Sequence, residues 1–203
     1  MRHLRIFLFA VLWIQLGLGC GEIPNAPNSG LTRSERTYVD TDWGFQITPL
    51  SQWGLSAQRS DQQQAANGKP LLEVRIFRSR GSVGQQFLFD PTLYLMPQAL
   101  SSGVTLDSLV TVVETDFQAR FRGYRPDPKQ RIRVGSEEAV EWTFRMSNFA
   151  TQDKTFPGSR FLATVVVHNR EWYFMLGNGE PGDPNSFPVA EYRQIVSSLA
   201  FFQ

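Results

Sequence analysis

Cysteine is nearly absent from this 203-residue chain: Cys20 is the only one, so no intramolecular disulfide can staple a domain built from it. Histidine is almost as scarce, with His3 and His168 alone. A His/Cys metal centre therefore lacks ligands, and nucleophilic catalysis, which usually needs a base beside the nucleophile, has one histidine to draw on beyond the first few residues. Long apolar runs are missing as well. The longest, Ile6 to Leu18, has thirteen residues, whereas a helix crossing a bilayer needs roughly twenty. An excess of one charge is also missing, since 20 Lys and Arg stand against 19 Asp and Glu. That balance excludes a global nucleic-acid footprint. GNGEPGDPN, residues 177 to 185, is glycine-rich but carries no Lys-Ser/Thr pair, so it reads as a loop and not as a phosphate cradle.

What is present begins with an export signal. Arg2 and Arg5 precede the apolar run without an acid, and Gly17, Leu18 and Gly19 lead to Cys20. Small residues at 17 and 19 suit an ordinary signal peptidase, and a cysteine directly after the cut suits lipid modification. Gly17-Leu18-Gly19-Cys20 resembles a bacterial lipobox, departing from it where Gly17 replaces the preferred Leu. A plain signal peptide with an incidental cysteine is the alternative. Lipidation accounts for a thiol that stands alone. Residues 1–19 are thus expected to be a signal peptide, and 20–36 a lipidated cysteine with a flexible tether of Pro, Gly, Asn and Ser. Losing the signal removes two basic residues and no acid, leaving 18 basic against 19 acidic. Residues 37–203 suffice for one domain with a substantial core.

In that domain, 37 to 53 suggests two short strands, and SDQQQAANGKP at 60 to 70 a polar insertion with an Asn67-Gly68 turn. Leu72, Val74 and Ile76 alternate with Glu73 and Arg75 as in a strand. Residues 87 to 96 are strand-like on either side of Pro91, whose missing donor suggests an edge or bulge. Leu106, Leu109, Val110, Val113, Phe117 and Phe121 recur at helical spacing, predicting a helix over 105–123 capped by Thr105 and stopped at Gly123. Strands follow at 140 to 146, 161 to 167 and 172 to 176. The middle one is apolar on both faces, as a central strand is. A closing helix spans about 188 to 199. Strands, helix, strands, helix predicts an α+β architecture: a mostly antiparallel sheet with a helix on each face, an α/β/α sandwich.

TYVDTDWGFQITPLSQW, residues 37 to 53, resembles the opening of PsbP-type domains, where a Tyr, an acidic pair and a Gly-Phe strand lead to a Pro and then a Trp. The long helix, EEAVEWTFRM, REWYFML and the terminal VSSLAFF follow in that family's order over roughly residues 37 to 202. The family includes extrinsic PsbP subunits of photosystem II, a nuclear Ran-binding protein and bacterial envelope proteins. The resemblance implies a non-enzymatic binding or assembly role, but a fold by itself does not choose the partner. Two readings stand: a lipid-anchored accessory protein docking on a membrane protein complex, in a bacterial envelope or a thylakoid, and a chaperone-like carrier sheltering an apolar ligand or helix. The first expects a charged docking face, the second an exposed apolar groove.

Candidate residues are few. No catalytic residue, cofactor or metal is expected: His168 lies in a hairpin turn, and Glu137, Glu138 and Glu141 read as a solvated strand edge. The expected partners are membrane lipid, reached through an acylated Cys20, and a membrane protein, with no nucleic acid. Phe149 and Phe156, in a polar connection, could anchor a partner. The remaining feature is RFRGYRPDPKQRIR, residues 120 to 133. There Arg120, Arg122, Arg125, Lys129, Arg131 and Arg133 face one acid, Asp127. The run is either a solvated face or a patch for anionic headgroups or an acidic partner.

Overall fold

A computed structural model of the chain describes residues 37–78, 91–121, 123–146, 149–150, 155–156, 159–179 and 187–202. Its main sheet starts with a long hairpin, β3 (Trp53–Gln64) and β4 (Pro70–Arg78), which follows two short strands, β1 (Tyr38–Asp40) and β2 (Phe45–Ile47). The polar stretch expected as an insertion is mostly strand. Residues 60–64 continue β3 past an irregularity in register, and Gly68, at a φ of +79°, turns the chain into β4. Composition misleads there because an edge strand needs only one apolar face. β5 (Thr92–Ala99) pairs with β4 on one side and, on the other, with β12 (Glu171–Asn178). The edge or bulge expected at Pro91 is therefore corrected: β5 lies inside the sheet, and Pro91 sits just ahead of its ladder. The segment 87–90 lies outside the described residues.

Helix α1 (Leu106–Arg120) starts where its cap demands. Ser108 N–H donates to Thr105 Oγ1 at 3.2 Å, and Thr105 N–H donates to Ser108 Oγ at 2.9 Å. Two of the amides that a helix start leaves without intrahelical partners are thereby satisfied. Thr105→Ala is expected to cost about 1 kcal/mol, read as a melting point lowered by roughly 2–4 °C; an unchanged melting curve would contradict the cap. The helix ends earlier than its apolar period suggests. Phe121 is already extended, and the left-handed Gly123 (φ +70°) turns the exit further on.

From there the chain forms β6 (Arg125–Pro126), β7 (Gln130–Val134), β8 (Glu137–Met146), β9 (Phe149–Ala150), β10 (Thr155–Phe156) and β11 (Ser159–His168), and then β12. Helix α2 (Val189–Ser197) and β13 (Ala200–Phe201) close it. The large sheet runs β3-β4-β5-β12-β11-β8-β6, with β7 also on β8, and all its pairs are antiparallel. As the double-sided apolar run requires, β11 is interior, with Leu162 through Val166 buried.

Strand parity places the helices on opposite faces. Phe144 and Phe174 meet Phe117 of α1, at ring separations of 4.9 and 6.0 Å. Tyr173 and Met175, one residue off Phe174, join Tyr192, Ile195 and Val196 of α2 in the other core. The small sheet β1-β2-β13 covers part of that second face, where Phe45 and Phe201 lie 5.7 and 4.8 Å from the Tyr173 ring.

The opening motif is a structural corner. Asp40 is fully buried; it accepts hydrogen bonds from Trp43 N–H at 3.0 Å and Tyr38 O–H at 2.8 Å, and it pairs with Arg59, which also holds Asp42. Gly44 takes a φ of +65°, and a Cβ there would stand 2.8 Å from the carbonyl oxygen of Phe202. Tyr, the acidic pair and Gly thus lock the N-terminal strands against the C-terminal one.

Candidate functional site

The basic run from 120 to 133 does not form one patch. Arg120 Nε donates to Asp116 one helical turn back at 2.7 Å. Lys129 Nζ lies 2.7 Å from Glu114 of α1. Arg131 is held from two sides, by both oxygens of Asp107 at 2.7 and 2.8 Å and by Glu138 at 2.6 Å. The Glu138 bond and then the Asp107 charge push its guanidinium up further. Arg133 is exposed, opposite Glu138 in the β7–β8 register. Arg122 lies outside the described residues.

Sheet parity separates the rest. Ile132 and Val134 of β7 pack into the α2-side core, so Arg131 and Arg133 point to the α1 side. Arg125, in β6, stands opposite Arg145 of β8. Arg145 shares its face with Ala139, which belongs to the α2-side core. Thus Arg125 faces away from Arg131 and Arg133. Three of the cations counted from sequence are neutralised: Arg120 by its own helix, and Lys129 and Arg131 by carboxylates of α1, which the packing of α1 on the sheet brings near, with Glu138 of the neighbouring strand also on Arg131.

That same packing orders the aromatics beside the run. Trp142 Nε1 donates to Tyr124 Oη at 3.1 Å, and burial, partly offset by this bond, pushes the Tyr124 hydroxyl up to about 12. Phe149 and Phe156 are backbone partners in the β9–β10 ladder; their side chains lie outside the described residues.

His168, expected in the hairpin turn, is instead the last residue of β11, paired with Glu171, and it is engaged. His168 Nδ1 lies 3.1 Å from Glu137 Oε1, Nε2 lies 2.9 Å from Asn169 Nδ2, and the ring stacks on Phe201 at 4.6 Å. The three glutamates of β8 do not converge. Glu137 meets His168, Glu138 meets Arg131 across the sheet, and Glu141 is buried against Arg193 of α2 at 2.7 Å. Among the described residues no group of three or more His, Cys, Asp or Glu could hold a metal ion, and no helix is long and apolar enough to cross a membrane. Cys20 and residues 180–185 of the glycine-rich stretch lie outside the described residues.

Two residues that sequence reading passed over, Arg145 and Arg160, complete a different grouping. Arg145 is the Cα partner of Arg125 on one side and of Arg160 in β11 on the other. Directly opposed residues of an antiparallel pair share a face, so these side chains form one row across three strands. No periodicity announces this, because the three are separated by 20 and 15 positions and only register aligns them.

No protein-family model matches the chain, and no curated protein matches it. Solved structures do. The solution structure of cyanobacterial PsbP (CyanoP) from Synechocystis sp. PCC 6803 is similar over 92% of this chain and 99% of that one, at a TM-score of 0.54 and 14% identity. A protein of unknown function from Pseudomonas aeruginosa matches over 82% of this chain and 96% of its own, at a TM-score of 0.48 and 8% identity. A Bacteroides thetaiotaomicron VPI-5482 protein also gives 0.48, at 6% identity, over 83% of this chain and 48% of its own. The chain has a PsbP-like fold.

Proposed function

We propose that this protein is an exported, lipid-anchored accessory subunit that docks on a membrane protein complex and carries out no chemistry of its own. The observation carrying this reading is the likeness of fold to cyanobacterial PsbP over nearly the whole of both chains. The Gly17-Leu18-Gly19-Cys20 sequence supplies the anchor, and residues 21–36 supply the tether. The carrier alternative asks for a contiguous exposed apolar groove. Among the described residues Val39, at 51% exposure, is the one large hydrophobic side chain that is exposed, and this favours docking through polar surface.

Two measurements test the proposal. Intact mass of the membrane-extracted protein should show Cys20 as the N-terminal residue with a diacyl or triacyl adduct, and Cys20→Ser should move the protein from the membrane to the soluble fraction. A mature chain with an unmodified thiol would overturn the anchor. Affinity purification from native membranes should recover one membrane protein complex with the wild-type chain. Recovery of the chain alone would overturn the accessory role.

A further inference from the structure

The row Arg125, Arg145 and Arg160 places three guanidinium groups on neighbouring strands of one sheet face. Like charges directly opposite one another destabilise a sheet pair. Among the described residues the counter-charge is Asp127 alone: its Oδ2 lies 3.4 Å from Arg160 and also accepts the Thr143 hydroxyl. The side chains of Arg125 and Arg145 are exposed, and neither makes an ion pair or a hydrogen bond among the described residues.

Arg160 is the organised member. Its guanidinium carbon stands 5.5 Å from the centre of the Phe187 ring, and its Nε is buried without a hydrogen-bond partner among the described residues. A guanidinium resting on an aromatic face is oriented before anything binds, so less freedom is lost on forming each bond. A buried N–H without an acceptor is costly to leave unmade. Three forks, one held against a ring, with a donor lacking its acceptor, match a tetrahedral oxyanion better than a carboxylate, because several acceptor oxygens can serve several forks at once.

We propose that Arg125, Arg145 and Arg160 form a binding site for a phosphate group. The inference is independent of the docking role. Phosphate can come from solution or from a lipid headgroup, and the experiment separates the two. Inorganic phosphate and dihexanoyl phosphatidylglycerol, below its micelle concentration, are each titrated into the full chain in non-ionic detergent at constant ionic strength, with binding read by calorimetry and by melting temperature.

The parent should bind at least one probe and gain melting temperature with it, whereas chloride at the same ionic strength has no such effect. A response to inorganic phosphate alone assigns the site to the free anion; tighter binding of the phosphatidylglycerol assigns it to a headgroup. Arg145→Gln should raise the Kd at least tenfold, while its melting temperature without phosphate stays level or rises, because a repulsion at the middle of the row is removed. Arg145→Lys should recover part of the affinity. Arg170→Gln removes the same charge at the hairpin turn beyond the end of β11, ten residues along the chain from Arg160, and should bind like the parent. Absence of binding by either probe, as when a carboxylate of the chain itself occupies the row, would overturn the proposal. So would an equal loss in Arg170→Gln, which reports only net charge.

Discussion

Replacing Phe117 with Ala is expected to destabilise the folded domain by about 3–5 kcal/mol. That is a large share of the ~5–15 kcal/mol that holds a typical domain folded. Phe117 is fully buried where α1 crosses the sheet, with the rings of Phe121, Tyr124, Phe144 and Phe174 at 5.2, 6.0, 4.9 and 6.0 Å. Truncation leaves a cavity walled by other aromatic groups, which have little freedom to collapse into it. Phe121 is the internal comparison. Sequence periodicity places both on one buried stripe, but Phe121 is half-buried at the extended end of the helix, stacking on Phe161 at 6.4 Å. Phe121→Ala should therefore cost markedly less. Urea denaturation of both variants decides the matter: equal losses, or a loss below about 1 kcal/mol at Phe117, would contradict this packing.

Gly177→Val should be the second severe change, at roughly 2–3 kcal/mol, near the upper end of what overpacking costs. A Cβ on Gly177 would lie 2.7 and 2.8 Å from two carbons of the Tyr192 ring. That ring cannot step aside. Tyr192 is fully buried, its hydroxyl donates to the carbonyl oxygen of Asn178, and it lies edge-on between Trp53 at 5.4 Å and Phe187 at 5.9 Å. Valine has the higher strand preference, which returns at most about 1 kcal/mol, so the steric term wins. The interaction is tested by combining Gly177→Val with Tyr192→Ala. If the clash is the cause, the double variant is less destabilised than the sum of the single ones. Strict additivity would show that Gly177 matters for another reason.

Docking on a membrane complex and binding phosphate place different demands on the molecule. The first, as proposed, draws on Cys20 and residues 21–36, the second on three arginines of the folded sheet. Cys20→Ser, which tests the proposed anchor, would leave the arginine row intact, and Arg145→Gln would leave Cys20 intact.

Much of the fold was legible because its signals are local. Thr105 and the apolar period announce α1, and two-sided apolarity marks β11 as interior; the corner at 38 to 44 was legible as a resemblance only, since its partners Arg59 and Phe202 lie further along the chain. Where the reading failed, a non-local partner decided. Residues 60–64 are polar yet extended, since β4 supplies their ladder, and Pro91 marks no edge because β12 pairs with the strand that follows it.

Charge shows the division most clearly. The sequence by itself determined how many cations lie between 120 and 133, the single cysteine behind the apolar run at 6 to 18, and the order of strands and helices, all of which are properties of neighbours along the chain. Only the tertiary structure decided that Lys129 and Arg131 are neutralised by α1 and β8, and that Arg125 leaves that group for Arg145 and Arg160. The reason is the two-residue period of a strand: shifting register by one residue sends a side chain to the opposite face, and register is set by partners far away in sequence.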